Sequence, residues 1–255
     1  SSNFPGGILE VFLQGSPWLL ARLPAMVHLS FNTAITSAED IVDENEDEEP
    51  VSEVVASLPL RYKWVVWEQL MASSGKSIQY SESTRQIASF DTVEDFWKTW
   101  VQLPQPSELL SNRMVLNMVE GFHIVDALMV FREGIKPQWE DAANAEGGHF
   151  QFTLKASLGG GPIDEYWNNL VLGVIGGTIE PPDMITGVRL VDKLSGNRGS
   201  GNLRMEVWFD QFKNTNAVQL LQRNVERCMA TKMLEGRIGQ VPKVEVKNHK
   251  LTRHQ

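Results

Sequence analysis

The segregation of charge decides which part of this 255-residue chain can fold. Residues 1–53 contain ten acidic side chains and one basic side chain, and this difference equals the formal net charge of −9 of the whole chain. The run Glu39–Pro50 combines repelling like charges with few apolar side chains, so it cannot bury enough apolar surface to form a core. We therefore predict a disordered acidic tail over residues 1–57 and a folded domain over residues 58–255.

The folded part is electrically neutral, and together with other simple features this excludes several classes of protein. A neutral domain lacks the broad basic face that binds nucleic-acid backbone without regard to sequence, so any nucleotide recognition must be local. No stretch approaches the roughly 18 consecutive apolar residues of a membrane span. The single cysteine, Cys228, cannot form an internal disulfide, which favours a reducing, cytoplasmic compartment. Residues 9–16, LEVFLQGS, resemble a viral-protease cleavage linker used in expression vectors and are left out of the fold.

Strand and helix patterns alternate along the folded part. Short runs rich in β-branched and aromatic side chains predict strands over residues 62–68, 128–131, 150–154, 188–191, 203–209 and 241–246. Asp91-Thr-Val-Glu94 has the form of a capping box with Asp91 as the N-cap, and it opens a predicted helix that ends by Pro104. Turn signals and apolar periodicity predict two more helices over residues 162–175 and 215–233. This order of elements predicts an α+β fold, with helices on one face of a mainly antiparallel sheet.

Sequence patterns for enzyme chemistry are missing. Gly75-Lys76-Ser77 is not a phosphate-binding loop, because such a loop needs a glycine five residues before Gly75 and Leu70 stands there. The five histidines and Cys228 show no zinc-ligand spacing, and no Gly-x-Ser-x-Gly nucleophile elbow lies at a strand-to-helix turn. We therefore predict no metal, no cofactor and no catalytic residue, although a triad of distant residues stays open at this stage.

One of the eight tryptophans stands in a setting that suits a purine ligand. Trp139 lies in a predicted polar loop after Pro137, and Glu140 and Asp141 follow it directly. An indole face can stack on a base, while the two oxygens of a carboxylate match the N1–H and the exocyclic amine of guanine. The alternative is a surface tryptophan beside two solvated acids. The residue types alone leave both interpretations open.

Five motifs carry a resemblance to a known family. Two are specific, Phe90-Asp-Thr-Val-Glu-Asp-Phe-Trp97 and Gly134-Ile-Lys-Pro-Gln-Trp-Glu-Asp141. The three others fall in the expected order along the chain and are Tyr62-Lys-Trp-Val-Val-Trp67, Asp164-Glu-Tyr-Trp167 and Met205-Glu-Val-Trp208. Over about residues 58–249 the chain resembles the eukaryotic translation initiation factor 4E family, whose members bind the cap of mRNA. The resemblance implies a curved antiparallel sheet, three helices on its convex face and a cap slot on its concave face.

The resemblance also implies roles for residues at matching positions. Trp139 would form one wall of the slot, Glu140 would read guanine, and Trp208 would contact the N7-methyl group. The second wall, which is usually a tryptophan in the family, falls on Tyr80, or on Ile78 if the loop alignment shifts. For the phosphates, the matching cations are Lys193 and Arg204, with Arg198 as a further candidate.

The charge of the ligand explains why such a slot prefers a methylated base. Methylation at N7 makes guanine cationic, so stacking against an aromatic face gains a cation–π attraction of about 1–2 kcal/mol per face. The same charge acidifies the N1–H and strengthens its hydrogen bond to the carboxylate of Glu140. Unmethylated guanosine lacks both gains, so the resemblance implies binding that depends on the methyl group.

On the convex face, the resemblance implies a second site. The family binds there a helical Tyr-x-x-x-x-Leu-apolar peptide of a scaffold initiation factor or a 4E-binding protein. Val93 and Trp97 match family residues that contact this peptide. Asn168 and Asn169 stand where the family has a Leu-Glu pair, so we expect partner binding to be altered.

These implications predict a monomeric, cytoplasmic protein that binds the 7-methylguanosine cap and recruits mRNA for translation initiation, and that is not an enzyme. Two alternatives stay open. One is a cap-binding paralogue that represses or regulates translation because its binding to the scaffold is altered. The other is an enzyme that acts on nucleotides, which would hydrolyse a cap analogue.

Overall fold

A curved, open sheet of eight antiparallel strands forms the framework of the protein. The computed structural model describes residues 57–70, 83–110, 115–118, 121–194, 201–232 and 238–252. In chain order the strands are β1 (Pro59–Leu70), β2 (Thr84–Thr92), β3 (Val115–Met118), β4 (Gly121–Arg132), β5 (Gly148–Lys155), β6 (Ile185–Lys193), β7 (Asn202–Phe209) and β8 (Val244–Asn248). Their order across the sheet is β2-β1-β4-β6-β7-β5-β8, and β3 pairs with the first residues of β4. All but the last residue of the predicted acidic tail lies outside the described residues, so its disorder stays a prediction.

Three helices cover the convex face of the sheet. They are α1 (Val93–Trp100), α2 (Gly160–Ile175) and α3 (Thr215–Ala230), and a short helix, α4 (His249–Thr252), follows β8. Alternate side chains of the strands pack with these helices in one large core, among them Val188, Leu190, Met205, Val207 and Phe209. The predicted α+β fold is therefore confirmed. None of the helices within the described residues is long and apolar enough to cross a membrane.

The intervening side chains of the strands point to the opposite, concave face. On β7 they are Arg204, Glu206 and Trp208, since side chains two residues apart along a strand share a face. Trp208 belongs to a second, smaller apolar cluster on this side. The register between β5 and β7 pairs His149 with Trp208 and Gln151 with Glu206. The concave face thus combines aromatic, polar and charged groups.

The first helix begins one residue later than the sequence indicated. Strand β2 runs to Thr92, and the side chain of Thr92 caps α1 by accepting a hydrogen bond from the backbone N–H of Asp95 at 3.1 Å. Glu94 does not complete a capping box, because its carboxylate accepts instead from the N–H of Leu58 at 3.2 Å. The choice of Asp91 as the N-cap was wrong, since Asp91 still belongs to the strand.

Two strands have no counterpart in the sequence patterns. β2 forms one edge of the sheet, where most of its side chains are half-buried or exposed, so its sequence lacks a clear apolar alternation. β3 has four residues, and within the described part of the chain it pairs with residues 121–124 of β4. The six predicted strands and three predicted helices are present with shifted ends. For example, α2 begins at Gly160 rather than Pro162, and α3 ends at Ala230.

Candidate functional site

A cavity of about 240 Å³ opens on the concave face, between the loop that follows β4 and strands β5 to β8. It combines an indole, a carboxylate and three side chains that carry positive charge. The lining side chains are Trp139, His149, Gln151, Arg189, Arg204, Glu206 and Lys247. Because a flat aromatic group and several cations converge here, this cavity is the candidate ligand site.

The loop that carries Trp139 is held in shape by its own side chains. Asn144 is fully buried, and its Nδ2 donates to the carbonyl oxygens of Lys136 at 2.9 Å and Gln138 at 3.0 Å. The carboxylate of Asp141 accepts from the backbone N–H of Lys136 at 2.9 Å. These bonds fix the backbone on both sides of Trp139. Asp141 therefore supports the loop.

The structure describes only some of the residues predicted to hold the base. Trp139 is half-buried and lines the cavity, and Glu140 beside it is exposed. Tyr80 and Ile78, the two candidates for the second wall, lie outside the described residues, which include neither residue 78 nor residue 80. The identity of the second wall therefore stays a prediction.

The ring of His249 packs against Trp139 from the C-terminal segment. The two ring centroids are 6.3 Å apart, and the ring planes meet at 26°. The Nδ1 of His249 lies 2.7 Å from the carbonyl oxygen of Asn144, so we assign its proton to Nδ1. Its Nε2 can then accept the Nδ1–H of His149, 3.1 Å away. His249 of the C-terminal segment therefore contacts both the loop of Trp139 and His149 of β5.

Burial keeps His149 uncharged at neutral pH. Loss of hydration is the main cause that lowers the pKa of His149 to about 4. The negative charge of Glu206 opposes this change, and repulsion from His249, followed by Arg204 and Arg189, adds to it. A neutral His149 adds no positive charge to the cavity at pH 7, and it can donate its Nδ1–H to His249.

Glu206 is a buried carboxylate that joins three side chains. It is 2% exposed, and its Oε2 accepts from the indole N–H of Trp208 at 2.8 Å. The Nε of Arg204 lies 2.7 Å from Oε1 as an ion pair whose N–H does not point at the oxygen, and Nη1 of Arg189 lies 3.7 Å from Oε2. Burial alone would raise the pKa of Glu206, but these neighbours outweigh burial and lower the pKa to about 2. Glu206 is therefore ionised at neutral pH.

The indole of Trp208 packs against the imidazole rings of His149 and His249. Its ring centroid is 5.6 Å from that of His149, with nearly parallel planes, and 4.5 Å from that of His249. It is 1% exposed and is not among the side chains that line the cavity. The structure brings Trp208 to the same face as Trp139, and the predicted contact of Trp208 with a methyl group stays a prediction.

The predicted phosphate-binding residues lie on β6 and β7. Arg204 lines the cavity. Lys193 is exposed at the end of β6. Partial desolvation, followed by repulsion from Arg204 and Arg189, lowers the pKa of Lys193, which places it beside the same cluster of cations. Arg198 falls outside the described residues. Lys247, which the sequence did not indicate, lines the cavity from β8.

The residues predicted to bind a protein partner lie on the convex side. Val93 and Trp97 are buried in the main core and are 8% and 6% exposed. The Oδ1 of Asn168 accepts from the indole N–H of Trp100 at 3.1 Å. The Nδ2 of Asn169 donates to two carbonyl oxygens at the end of α3. Both asparagine side chains are thus engaged within the protein.

Among the described residues, sequence reasoning missed several side chains that line or support the cavity. They include His149, Gln151, Arg189, Glu206, Lys247, His249 and Asn144. A signal was present, because polar and apolar residues alternate over residues 149–152 and 203–207, as they do in a strand with two different faces. This alternation places His149 and Glu206 on the face that also carries Trp208.

Comparison with known proteins identifies one family. A family model described as Eukaryotic initiation factor 4E matches residues 59–250. The eukaryotic translation initiation factor 4E of Saccharomyces cerevisiae is 38% identical over 141 residues, which are 55% of this chain and 59% of the yeast protein. The chain thus spans less than two thirds of the length of this relative. The eukaryotic translation initiation factor NCBP of Triticum aestivum is 29% identical over 195 residues, which are 76% of this chain and 74% of the wheat protein.

Solved structures share the fold. A complex of C. elegans eIF4E-3 with the 4E-binding protein Mextli and a cap analogue has a TM-score of 0.58 at 21% identity, over 78% of this chain and 96% of that chain. A Schistosome eIF4E complexed with m7GpppG and 4E-BP has a TM-score of 0.59 at 19% identity, over 78% and 93% of the two chains. The matching family consists of initiation factors, which confirms the prediction that this protein is not an enzyme. The chain belongs to the eukaryotic initiation factor 4E family.

Proposed function

We propose that this chain binds the 7-methylguanosine cap of mRNA on its concave face and acts in translation initiation. The observation that carries the proposal is the half-buried indole of Trp139 at a cavity lined by Arg189, Arg204 and Lys247. A cap offers a flat cationic base and a chain of phosphates, and the cavity offers an indole and positive charge. Proteins with this fold have been solved with a cap analogue and with m7GpppG, which supports the same class of ligand here.

Each part of the ligand has a proposed neighbour. The base would stack on Trp139, and Glu140 would accept the N1–H and the exocyclic amine of guanine. Tyr80 or Ile78 would form the second wall. Trp208 is proposed for the methyl group, and because it is 1% exposed and covered by two histidine rings, this contact requires those rings to move. The phosphates would bind Lys193, Arg204 and Arg198.

A second candidate function is that of a cap-binding regulator with altered scaffold binding. Asn168 and Asn169 favour it, because their amides are engaged in internal hydrogen bonds and carry no charge for a partner. The first function requires that a Tyr-x-x-x-x-Leu-apolar peptide binds over Val93 and Trp97. A pull-down with this peptide separates the two functions: retention supports recruitment through a scaffold, and loss supports the regulator.

Titration of tryptophan fluorescence with 7-methyl-GTP and with GTP tests the proposal. The methylated nucleotide should bind at least about tenfold more tightly, because GTP lacks the cation–π gain of about 1–2 kcal/mol per face. Trp139→Ala and Glu140→Gln should lose most of this binding. Glu133→Gln is the matched control, because Glu133 is an exposed acid of the same loop that pairs with Lys63, and this variant should bind normally. Comparable affinities for the two nucleotides would contradict the proposal.

A further inference from the structure

The concave face contains a buried carboxylate to which the proposed function assigns no role. Glu206 is 2% exposed and stands between one side chain proposed for the base and another proposed for the phosphates. Its Oε2 accepts from the indole N–H of Trp208 at 2.8 Å, while its Oε1 lies 2.7 Å from Nε of Arg204. A single group therefore constrains both neighbours at once.

The same carboxylate is connected to a distant strand through Arg189. The Nη1 of Arg189 lies 3.7 Å from Oε2 of Glu206, and its Nη2 donates to Oε1 of Gln69, near the end of β1. Arg189 is itself mostly buried, with 11% of its side chain exposed. A buried ion is tolerated where several partners compensate for its lost hydration, and Glu206 has three. The network of Gln69, Arg189, Glu206 and Trp208 thus reaches across β1, β6 and β7.

We infer that Glu206 is a positioning residue of the cap site, which holds the indole of Trp208 and the guanidinium of Arg204 in one arrangement. One carboxylate thus orients both the side chain proposed for the methylated base and a side chain proposed for the phosphates. The inference rests on the proposed function and deepens it, because Glu206 acts through its neighbours.

The charge of Glu206 gives the inference a sharp test, because two roles predict opposite results. The phosphates of the ligand are negative, and a carboxylate that lines the same cavity repels them. If Glu206 acted only through its charge, Glu206→Gln would remove this repulsion and tighten binding. If Glu206 positions Arg204, the same substitution releases the guanidinium and weakens binding.

Calorimetric titration of Glu206→Gln with 7-methyl-GTP and 7-methyl-GMP distinguishes these roles. Glutamine keeps an oxygen acceptor for the indole N–H of Trp208 but loses the ion pair with Arg204. The affinity for 7-methyl-GTP should therefore fall about tenfold, and the affinity for 7-methyl-GMP should fall less, since it has fewer phosphates. Unchanged or tighter binding of 7-methyl-GTP, or an equal loss for both nucleotides, would overturn the inference.

A second variant keeps the test decisive if the glutamine variant does not fold. Glu206→Asp retains the negative charge and withdraws the carboxylate by one methylene group. A positioning role predicts about tenfold weaker binding of 7-methyl-GTP, because hydrogen bonds and ion pairs depend on distance. A role of charge alone predicts wild-type affinity, and that result would also overturn the inference.

Asp164→Asn is the matched control for the loss of a buried carboxylate. Asp164 is 8% exposed and accepts from the backbone N–H of Ser107 at 2.7 Å, but it lies on α2, on the other side of the sheet. This variant should lose stability without a change in affinity. Wild-type protein is titrated in parallel. If it does not prefer 7-methyl-GTP to GTP, the proposed function fails; if it does and Glu206 variants bind equally well, only the inference fails.

Discussion

Burial of His149, which is hydrogen-bonded to the buried His249, makes the stability of the protein depend on pH. Burial lowers the pKa of His149 to about 4 in the folded protein, whereas the unfolded chain has the ordinary value near 6.5. Between these values the unfolded chain binds a proton and the folded protein does not, so acid favours unfolding. The stabilisation is complete above about pH 6.5 and is lost toward pH 4, by up to about 3 kcal/mol. Thermal unfolding from pH 7.5 to 4.5 should show this decline, and His149→Gln should flatten it.

The buried carboxylate of Glu206 does not obscure the measurement. The pKa of Glu206 is lowered to about 2, so the stability that Glu206 provides is complete above its ordinary value and is lost only as the pH falls from about 4.5 toward 2. The range from pH 6.5 to 4.5 therefore reports on the buried, hydrogen-bonded histidines His149 and His249 and not on Glu206, and the difference between wild type and His149→Gln gives the share of His149. Wild-type and His149→Gln proteins that lose stability with the same slope in this range would show that His149 is not the group responsible.

At the scale of single elements, the start of α1 can be tested directly. Thr92 caps the helix, so Thr92→Ala should reduce the free energy of unfolding by about 1 kcal/mol, because the N–H of Asp95 loses its acceptor. Asp91→Ala is the matched control and should change it by less than about 0.5 kcal/mol, since Asp91 is an exposed strand residue. Urea denaturation with equal slopes gives both values. A larger loss for Asp91→Ala than for Thr92→Ala would reverse the assignment of the cap.

The elements that sequence predicts best are those with a strong apolar period. On α3, Leu221, Val225 and Met229 recur every four residues, and all three are fully buried. Edge strands give a weaker signal, because only one of their edges is paired and their side chains are partly solvated. This is why β2 was missed although β2 pairs with β1 along most of its length. The same weak signal explains the wrong N-cap. The sequence pattern does not show that β2 extends to Thr92, so it favours Asp91 as the N-cap.

Some residues of the candidate site can be predicted from neighbouring positions in the sequence, whereas others depend on contacts between distant positions. Trp139 and Glu140 were found because they are neighbours in sequence and match a motif. The pair Arg189 and Glu206 depends on the register between β6 and β7, and the pair His149 and His249 joins positions 100 residues apart. Neither register nor distant contact can be obtained from spacing along the chain. The polar network beneath the cavity therefore required the structure.

At the scale of the whole molecule, one sheet separates two tasks. Its convex side packs with α1 to α3 in the main core, which contains most of the buried apolar side chains. Its concave side carries the cavity and the ion network, in strands that the core holds fixed. Because the strands are shared, a ligand on the concave side stabilises the entire fold. Ligand binding therefore shifts the equilibrium between the unfolded and the folded protein toward the folded state, as packing of the core does.

This coupling predicts that the proposed ligand raises the melting temperature selectively. At 100 times its dissociation constant, 7-methyl-GTP should stabilise the folded protein by about 2.7 kcal/mol. For a folded part of this size the shift in Tm should be roughly 5–10 °C. GTP at the same concentration should give a much smaller shift, and Trp139→Ala should abolish the difference between the two nucleotides. Differential scanning calorimetry measures all three, and equal shifts with both nucleotides in the wild type would mean that the phosphates, not the base, account for binding.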